Sequence, residues 1–286
     1  MNSSILDYSR IYAGILEQES LYSLLDLTAD KLKQTLAKPE YAVQPYMKIE
    51  GKENKRIEET VERVTGFGTK MGSAFEALCL TLARVPTQKE FNEYCLELAE
   101  EFWSKNPPDG IQWDSVVETA VANRNHRCYV SQIVELHCVL LLRELFPEWK
   151  IVGSDQLDTL MGVDIVVETE TKRLYLHVMK NSKYSFLAFR KKQKRGGMRD
   201  YAGKFHRYYR DFTGDKTLMY EGRQESCSET TEFVNGLPLF KKDWLEEQLL
   251  LYSSFDQFGE PLENSKKLEY MEGYLEKLEG TAEDVA

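Results

Sequence analysis

Three side chains in the middle of this 286-residue chain have types and spacing suited to work on a phosphodiester: Glu135, Asp164 and Lys180. A carboxylate such as Asp164 suits a hard divalent cation, which takes oxygen ligands. Such a cation polarises a phosphoryl oxygen and activates water. A lysine nearby can position or deprotonate that water, or stabilise the charge that develops. Glu135 offers a second carboxylate. At about 100° per residue on a helix it lies beside Cys138, Val139 and Leu142, so it points into apolar company. A lone buried carboxylate is costly and calls for a cation, a donor or a metal.

The elements that must position these groups are legible in the pattern. Residues from about Cys128 to Phe146 are apolar on nearly every side and stop before Pro147, which predicts a buried helix carrying Glu135. Trp149 to Val152 reads as a short strand. Gly162 to Glu168 is rich in β-branched residues and predicts a strand with Asp164 near its start. Glu168 to Lys172 reads as a hairpin turn, and Arg173 to Lys180 as the returning strand. Two paired strands then hold Asp164 and Lys180 at one sheet edge, with Glu135 reaching in from the adjacent helix. Alternation turns His177 away from Lys180 unless a bulge intervenes.

This order, a helix with a Glu, a strand with an Asp and a strand ending in Lys, resembles the PD-(D/E)xK nuclease superfamily. The residues that carry the resemblance are Glu135, Gly162-Val163-Asp164-Ile165-Val166-Val167-Glu168 and His177-Val178-Met179-Lys180, within residues 128 to 183. It implies a restriction-endonuclease-like fold, an α/β (α+β) arrangement with a mixed sheet flanked by helices. It also implies Asp164 as a metal ligand, Lys180 as the catalytic lysine, and Glu135 as a helix-borne ligand or orienter. The family's second acid falls at position 178, where this chain has Val178, which cannot ligate a metal. The candidates to replace it are Glu135, Glu168 and the backbone carbonyl of Met179. Asn181 and Ser182 extend the site toward phosphate.

Charge supports a polyanionic partner. The net charge is -10, yet Lys172 to Arg223 holds 15 basic residues against four acids. That segment therefore carries +11 and the remainder -21, which predicts one basic surface on an acidic body. The candidate phosphate-gripping residues are Lys183, Arg190, Lys191, Lys192, Lys194, Arg195, Arg199, Lys204, Arg207 and Arg210. Aromatics are interleaved with them, among them Tyr184, Phe186, Phe189, Tyr201 and Phe205. Cations release counterions from phosphates, and aromatic faces stack on bases or pack in a core.

Elsewhere the sequence predicts helices over about 5 to 36, with Thr28 capping the second, and a polar connector from Lys38 to Glu59. Further helices are expected at 69 to 82 and, with a Thr87/Glu90 capping box, from about 88 to Ser104. Lys241 to Tyr252 reads as another. The acidic tail from Trp244 has 11 acids against three lysines. The expected organisation is a mostly helical region at 1-125, for accessory or recognition work, a nuclease-like core at 126-250 with the basic segment 172-223, and an acidic helical tail at 251-286. Five scattered cysteines with no C-x-x-C pair argue for buried thiols in a reducing cytoplasm rather than disulfides or zinc. No apolar run approaches the roughly 18 residues of a membrane span, and no signal peptide is visible.

These features together predict a magnesium-dependent, sequence-specific endonuclease on double-stranded DNA, a cytoplasmic homodimer similar to a type II restriction endonuclease. Two rivals share the pattern. One is a non-catalytic nucleic-acid-binding protein on the same fold, with Val178 marking lost chemistry. The other is a protein-interaction module whose basic segment is neutralised by the acidic tail.

Overall fold

The computed structural model describes residues 25-45, 47, 49, 52-105, 107-153, 163-169, 173-185, 187, 215-223 and 228-254. The fold class is mixed α+β. The helices are α1 (Ala29–Leu36), α2 (Lys52–Arg63), α3 (Thr65–Leu82), α4 (Gln88–Lys105), α5 (Ser115–Leu145) and α6 (Lys242–Ser254). The strands are β1 (Lys150–Gly153), β2 (Ile165–Glu168), β3 (Arg173–Lys180), β4 (Asp215–Tyr220), β5 (Thr231–Val234) and β6 (Leu237–Phe240).

The chain forms two compact units. A helical unit comprises Leu21–Phe146 and Met219–Glu246, and a sheet unit comprises Met1–Ser20, Pro147–Leu218 and Glu247–Ala286. The boundaries fall inside β4 and α6. The division expected between residues 125 and 126 lies within the unbroken helix α5.

In the helical unit, α5 is the central element, packed by α1, α2, α3, α4 and β6. Its 31 residues begin 13 positions earlier than the apolar pattern predicts, where Asp114 caps the helix by accepting the amides of Val116 and Val117, both at 2.9 Å. The early turns escape an apolar-period reading because their polar residues are used inside the unit. Asn123 is buried and clasps the Met47 backbone, accepting its N–H at 3.0 Å and donating to its carbonyl at 2.7 Å. Asn125, fully buried, donates to Asn92 on α4 at 2.9 Å. Phe75, Phe91 and Tyr129 knit α3, α4 and α5 at ring separations of 5.9 to 6.2 Å, and the Tyr129 hydroxyl donates to the Pro86 carbonyl.

The expected caps are present. Thr28 accepts the Lys31 amide at the start of α1. Thr87 and Glu90 form the reciprocal box ahead of α4, with the Glu90 carboxylate accepting the Thr87 amide at 2.8 Å. Arg84 pairs with Glu90 and, with the Thr87 donors, holds that carboxyl down to about 2. The connector expected through Glu59 is shorter than predicted, because α2 begins at Lys52; in the run Lys52 to Arg63 the apolar stripe is only Ile57 and Val61, too short to stand out in a polar sequence. The β5–β6 hairpin turns on Asn235-Gly236, both at positive φ (+50° and +84°), as a tight hairpin turn requires. The Asn235 side chain donates to the carbonyls of Leu36 and Lys38, each at 2.8 Å, tying the hairpin to the end of α1.

In the sheet unit the strand order is β1-β2-β3-β4, with β1/β2 and β2/β3 antiparallel. The hairpin predicted between residues 165 and 180 is present, in the register Ile165↔Leu176 to Glu168↔Arg173. Ile165, Val166 and Val167 are all buried, as are Leu174 through Val178, so both faces of the β2–β3 pair are covered. The Tyr252 hydroxyl donates to the Thr217 carbonyl at 2.8 Å, anchoring the end of α6 to β4.

Candidate active site at the β2–β3 edge

Asp164 lies one residue before β2, and its position depends on where the ladder ends. A regular continuation from Ile165↔Leu176 would set Asp164 opposite His177, on the face away from Val178 and Lys180. Instead the ladder ends at Ile165, and the Asp164 amide donates to the Leu176 carbonyl at 3.1 Å. The Asp164 carboxylate turns to β3, where Oδ2 accepts the Val178 amide at 2.7 Å. Asp164 thus replaces the backbone acceptor that β2 does not supply beyond its first residue.

Val178 stands two residues before Lys180, about 7 Å along the strand at a rise near 3.4 Å per residue. Lys180 is exposed at the end of β3, and its long stem can swing the ammonium back toward the Asp164 carboxylate. Alternation along β3 sets His177, buried at 4% exposure, on the face opposite Lys180. Val178 is buried at 6% exposure and apolar. The Asp164 carboxylate is thus tied to a main-chain amide two residues before Lys180.

Two of the candidates for the missing acid are placed clearly. Glu168 pairs with Arg173 at the far end of the β2–β3 ladder, about 13 Å from Asp164 at four residues of strand rise, and so does not serve as the second ligand. Glu135 belongs to α5 in the helical unit. It is half-buried, and the neighbours on its own face, Cys138, Val139 and Leu142, are buried as expected. Its charge acts along its own stripe, helping burial push up the Cys128 thiol two turns earlier. Ser182 is likewise spoken for: its hydroxyl accepts the Ser185 amide at 3.0 Å and meets the Ser185 hydroxyl at 2.8 Å, capping the turn at 183-185. Lys183 is exposed on that turn. Arg190, Lys191, Lys192, Lys194, Arg195, Arg199, Lys204, Arg207 and Arg210 lie outside the described residues, as does the acidic tail beyond Ser254.

Among the described residues no group of three or more His, Cys, Asp or Glu side chains is placed to hold a metal ion. The thiols are not metal-ready either: burial pushes Cys79 and Cys95 up to about 12. An ionised carboxylate has about four acceptor positions, and the Val178 amide takes one of those of Asp164. One carboxylate with main-chain oxygen fits magnesium, which retains waters and draws further ligands from substrate phosphate. It fits poorly a metal that needs a closed protein cage, such as structural zinc.

No family model matches the chain, and no curated protein and no solved structure matches it. Among the described residues no helix is long and apolar enough to cross a membrane.

Proposed function

We propose that the chain is a magnesium-dependent endonuclease that hydrolyses phosphodiester bonds in double-stranded DNA, similar in kind to a type II restriction endonuclease. The observation that supports this reading is the bond from the Val178 amide to the Asp164 carboxylate, two residues before Lys180 on β3. Asp164, its direction fixed by the Val178 amide, and the Met179 carbonyl are the residues that would hold magnesium. Magnesium, when bound, supplies Lewis-acid polarisation of the phosphoryl oxygen. Lys180 holds the attacking water and stabilises the charge that grows on the phosphoryl oxygens. The basic run that begins at Lys183 grips phosphates along the backbone, and two copies of the chain acting together would cut both strands. A cytoplasmic location accords with the buried thiols of Cys79, Cys95 and Cys138.

A second reading has its own observation. Val178 is apolar and buried where the resemblance asks for an acid, and Asp164 already serves as the acceptor for its amide. On that reading Asp164 is structural and the protein binds nucleic acid without cutting it. Incubating long duplex DNA of known sequence with the chain in magnesium or in EDTA separates the two. Discrete fragments that need magnesium are expected; DNA left intact in both, with binding retained, favours the second reading.

A further inference from the structure

The turn that follows Lys180 has a feature that the hydrolytic chemistry does not use. Residues 183-185 form a helical turn held by the Ser182 hydroxyl, which accepts the Ser185 amide and meets the Ser185 hydroxyl. A turn tied at both ends by serines holds its side chains in fixed directions. Tyr184 sits on this turn at 84% exposure, more than any other large apolar side chain exposed among the described residues. Lys180, Asn181 and Lys183, its neighbours in sequence, are exposed as well. An isolated exposed ring on a protein surface is ordinary. A ring held on a tied turn, next to Lys183 and four residues after Lys180, has a narrower set of partners. The partner must offer anions at the spacing of Lys180 and Lys183 and a flat apolar face to Tyr184.

We propose that Tyr184 is a stacking platform for an unpaired base of a DNA strand whose phosphates lie against Lys180 and Lys183. In a continuous duplex each base face is covered by the next base pair, so a side chain stacks on a base only where that base is unpaired or turned out of the helix. The proposal rests on the nuclease reading above and adds that a base beside the scissile phosphate turns out of the duplex when the strand is cut, as it is already free to do at a strand end, a nick or a bubble. The lysines supply attraction to the backbone, and the ring supplies the preference for an unpaired base.

The test measures binding of the full chain to three labelled oligonucleotides of one sequence: single-stranded, blunt duplex, and duplex with a short central bubble. Wild type is compared with Tyr184→Ala, Tyr184→Trp and Tyr184→Leu, in EDTA so that cutting does not intervene. Tyr184→Ala is expected to weaken binding to the single strand and the bubble by about ten- to hundred-fold, the range of a lost base stack, and to leave the blunt duplex unchanged. Tyr184→Trp is expected to restore binding and Tyr184→Leu is not. Tyr184 lies on the surface, so its replacement leaves folding intact, which thermal denaturation verifies. Equal loss on all three oligonucleotides, no loss on any, or full rescue by leucine overturns the proposal. So does displacement of wild type and Tyr184→Ala alike by polyglutamate as readily as by the single strand, which would make the surface a site for acidic peptides. If wild type binds none of the three oligonucleotides, the nuclease reading itself falls; if wild type binds but is indifferent to Tyr184, only this inference falls.

Discussion

At the residue scale, Asp164 has two separable jobs. It accepts the Val178 amide, and its charge faces the place where a cation and a phosphate would sit. Asp164→Ala removes the acceptor and leaves a partly buried N–H unsatisfied, at a cost of about 1 to 3 kcal/mol. Asp164→Asn keeps an acceptor oxygen in the same place and removes only the charge. Thermal denaturation should therefore rank wild type close to Asp164→Asn, with Asp164→Ala clearly below; equal melting temperatures for all three would deny the carboxylate its place in the ladder. Lys180 is exposed, so Lys180→Ala should change stability by less than about 0.5 kcal/mol. Much of this site was legible in sequence. A β-branched run starting at Asp164, and a second run ending at Lys180, imply adjacent strands and a shared edge. The bond from the Val178 amide to Asp164 was not legible, because the apolar pattern does not mark where a ladder ends. Nor was the distance from Glu168, since strand pairing rather than residue type sets which acid stands at which end of the hairpin.

At the scale of the element, α5 carries a titratable group that nothing in sequence marks. His137 is buried at 3% exposure, and its Nδ1 has no hydrogen-bond partner. Burial, reinforced by the Lys33 charge, pushes the imidazole down to about 4 from an ordinary value of 6.5. The unfolded chain therefore takes up a proton at a higher pH than the folded chain does. The stability tied to a neutral His137 is complete above pH 6.5 and is lost progressively as the pH falls toward 4, by about 3 kcal/mol in all. His137→Gln should flatten this part of the stability curve measured by urea unfolding between pH 7 and 4; an unchanged slope would show that His137 does not govern it. The β5–β6 hairpin makes a second prediction. Asn235→Gly keeps the positive φ but loses both donors to the end of α1, while Asn235→Ala also strains the turn. Melting temperatures should fall in the order wild type, glycine, alanine, the last by about 2 kcal/mol or more. The Asn-Gly pair is the signal that finds this hairpin in sequence, and Pro238 inside β6 obscures it, since proline usually argues against a strand.

At the scale of the whole molecule, sequence gave the class and many of the elements, while the grouping of elements needed the structure. The helix caps at Thr28 and Thr87, the buried helix ending at Leu145 and the β2–β3 pairing follow from local pattern. The grouping does not, because the helical unit takes up Met219–Glu246 from far along the chain and α5 runs unbroken across residues 125 and 126. Long-range pairing of this kind depends on which apolar faces meet, and residues such as Asn123 and Asn125 join a buried face while reading as surface. The charge asymmetry belongs to this scale too. A surplus of eleven positive charges between Lys172 and Arg223 on an acidic chain predicts DNA binding that weakens steeply with salt. A logarithmic plot of affinity against salt should have a slope of several units; a flat plot would remove phosphate contact from the account.

The most direct test of the central claim, that the Asp164 carboxylate performs hydrolysis with Lys180, is cleavage of long duplex DNA in magnesium by wild type, Asp164→Asn and Lys180→Ala at matched folded concentration. The account predicts cutting by wild type, loss of at least about a hundred-fold in rate for each variant, and retained DNA binding in both. Cutting by Asp164→Asn at the wild-type rate would contradict it and return Asp164 to a purely structural role at the edge of β3.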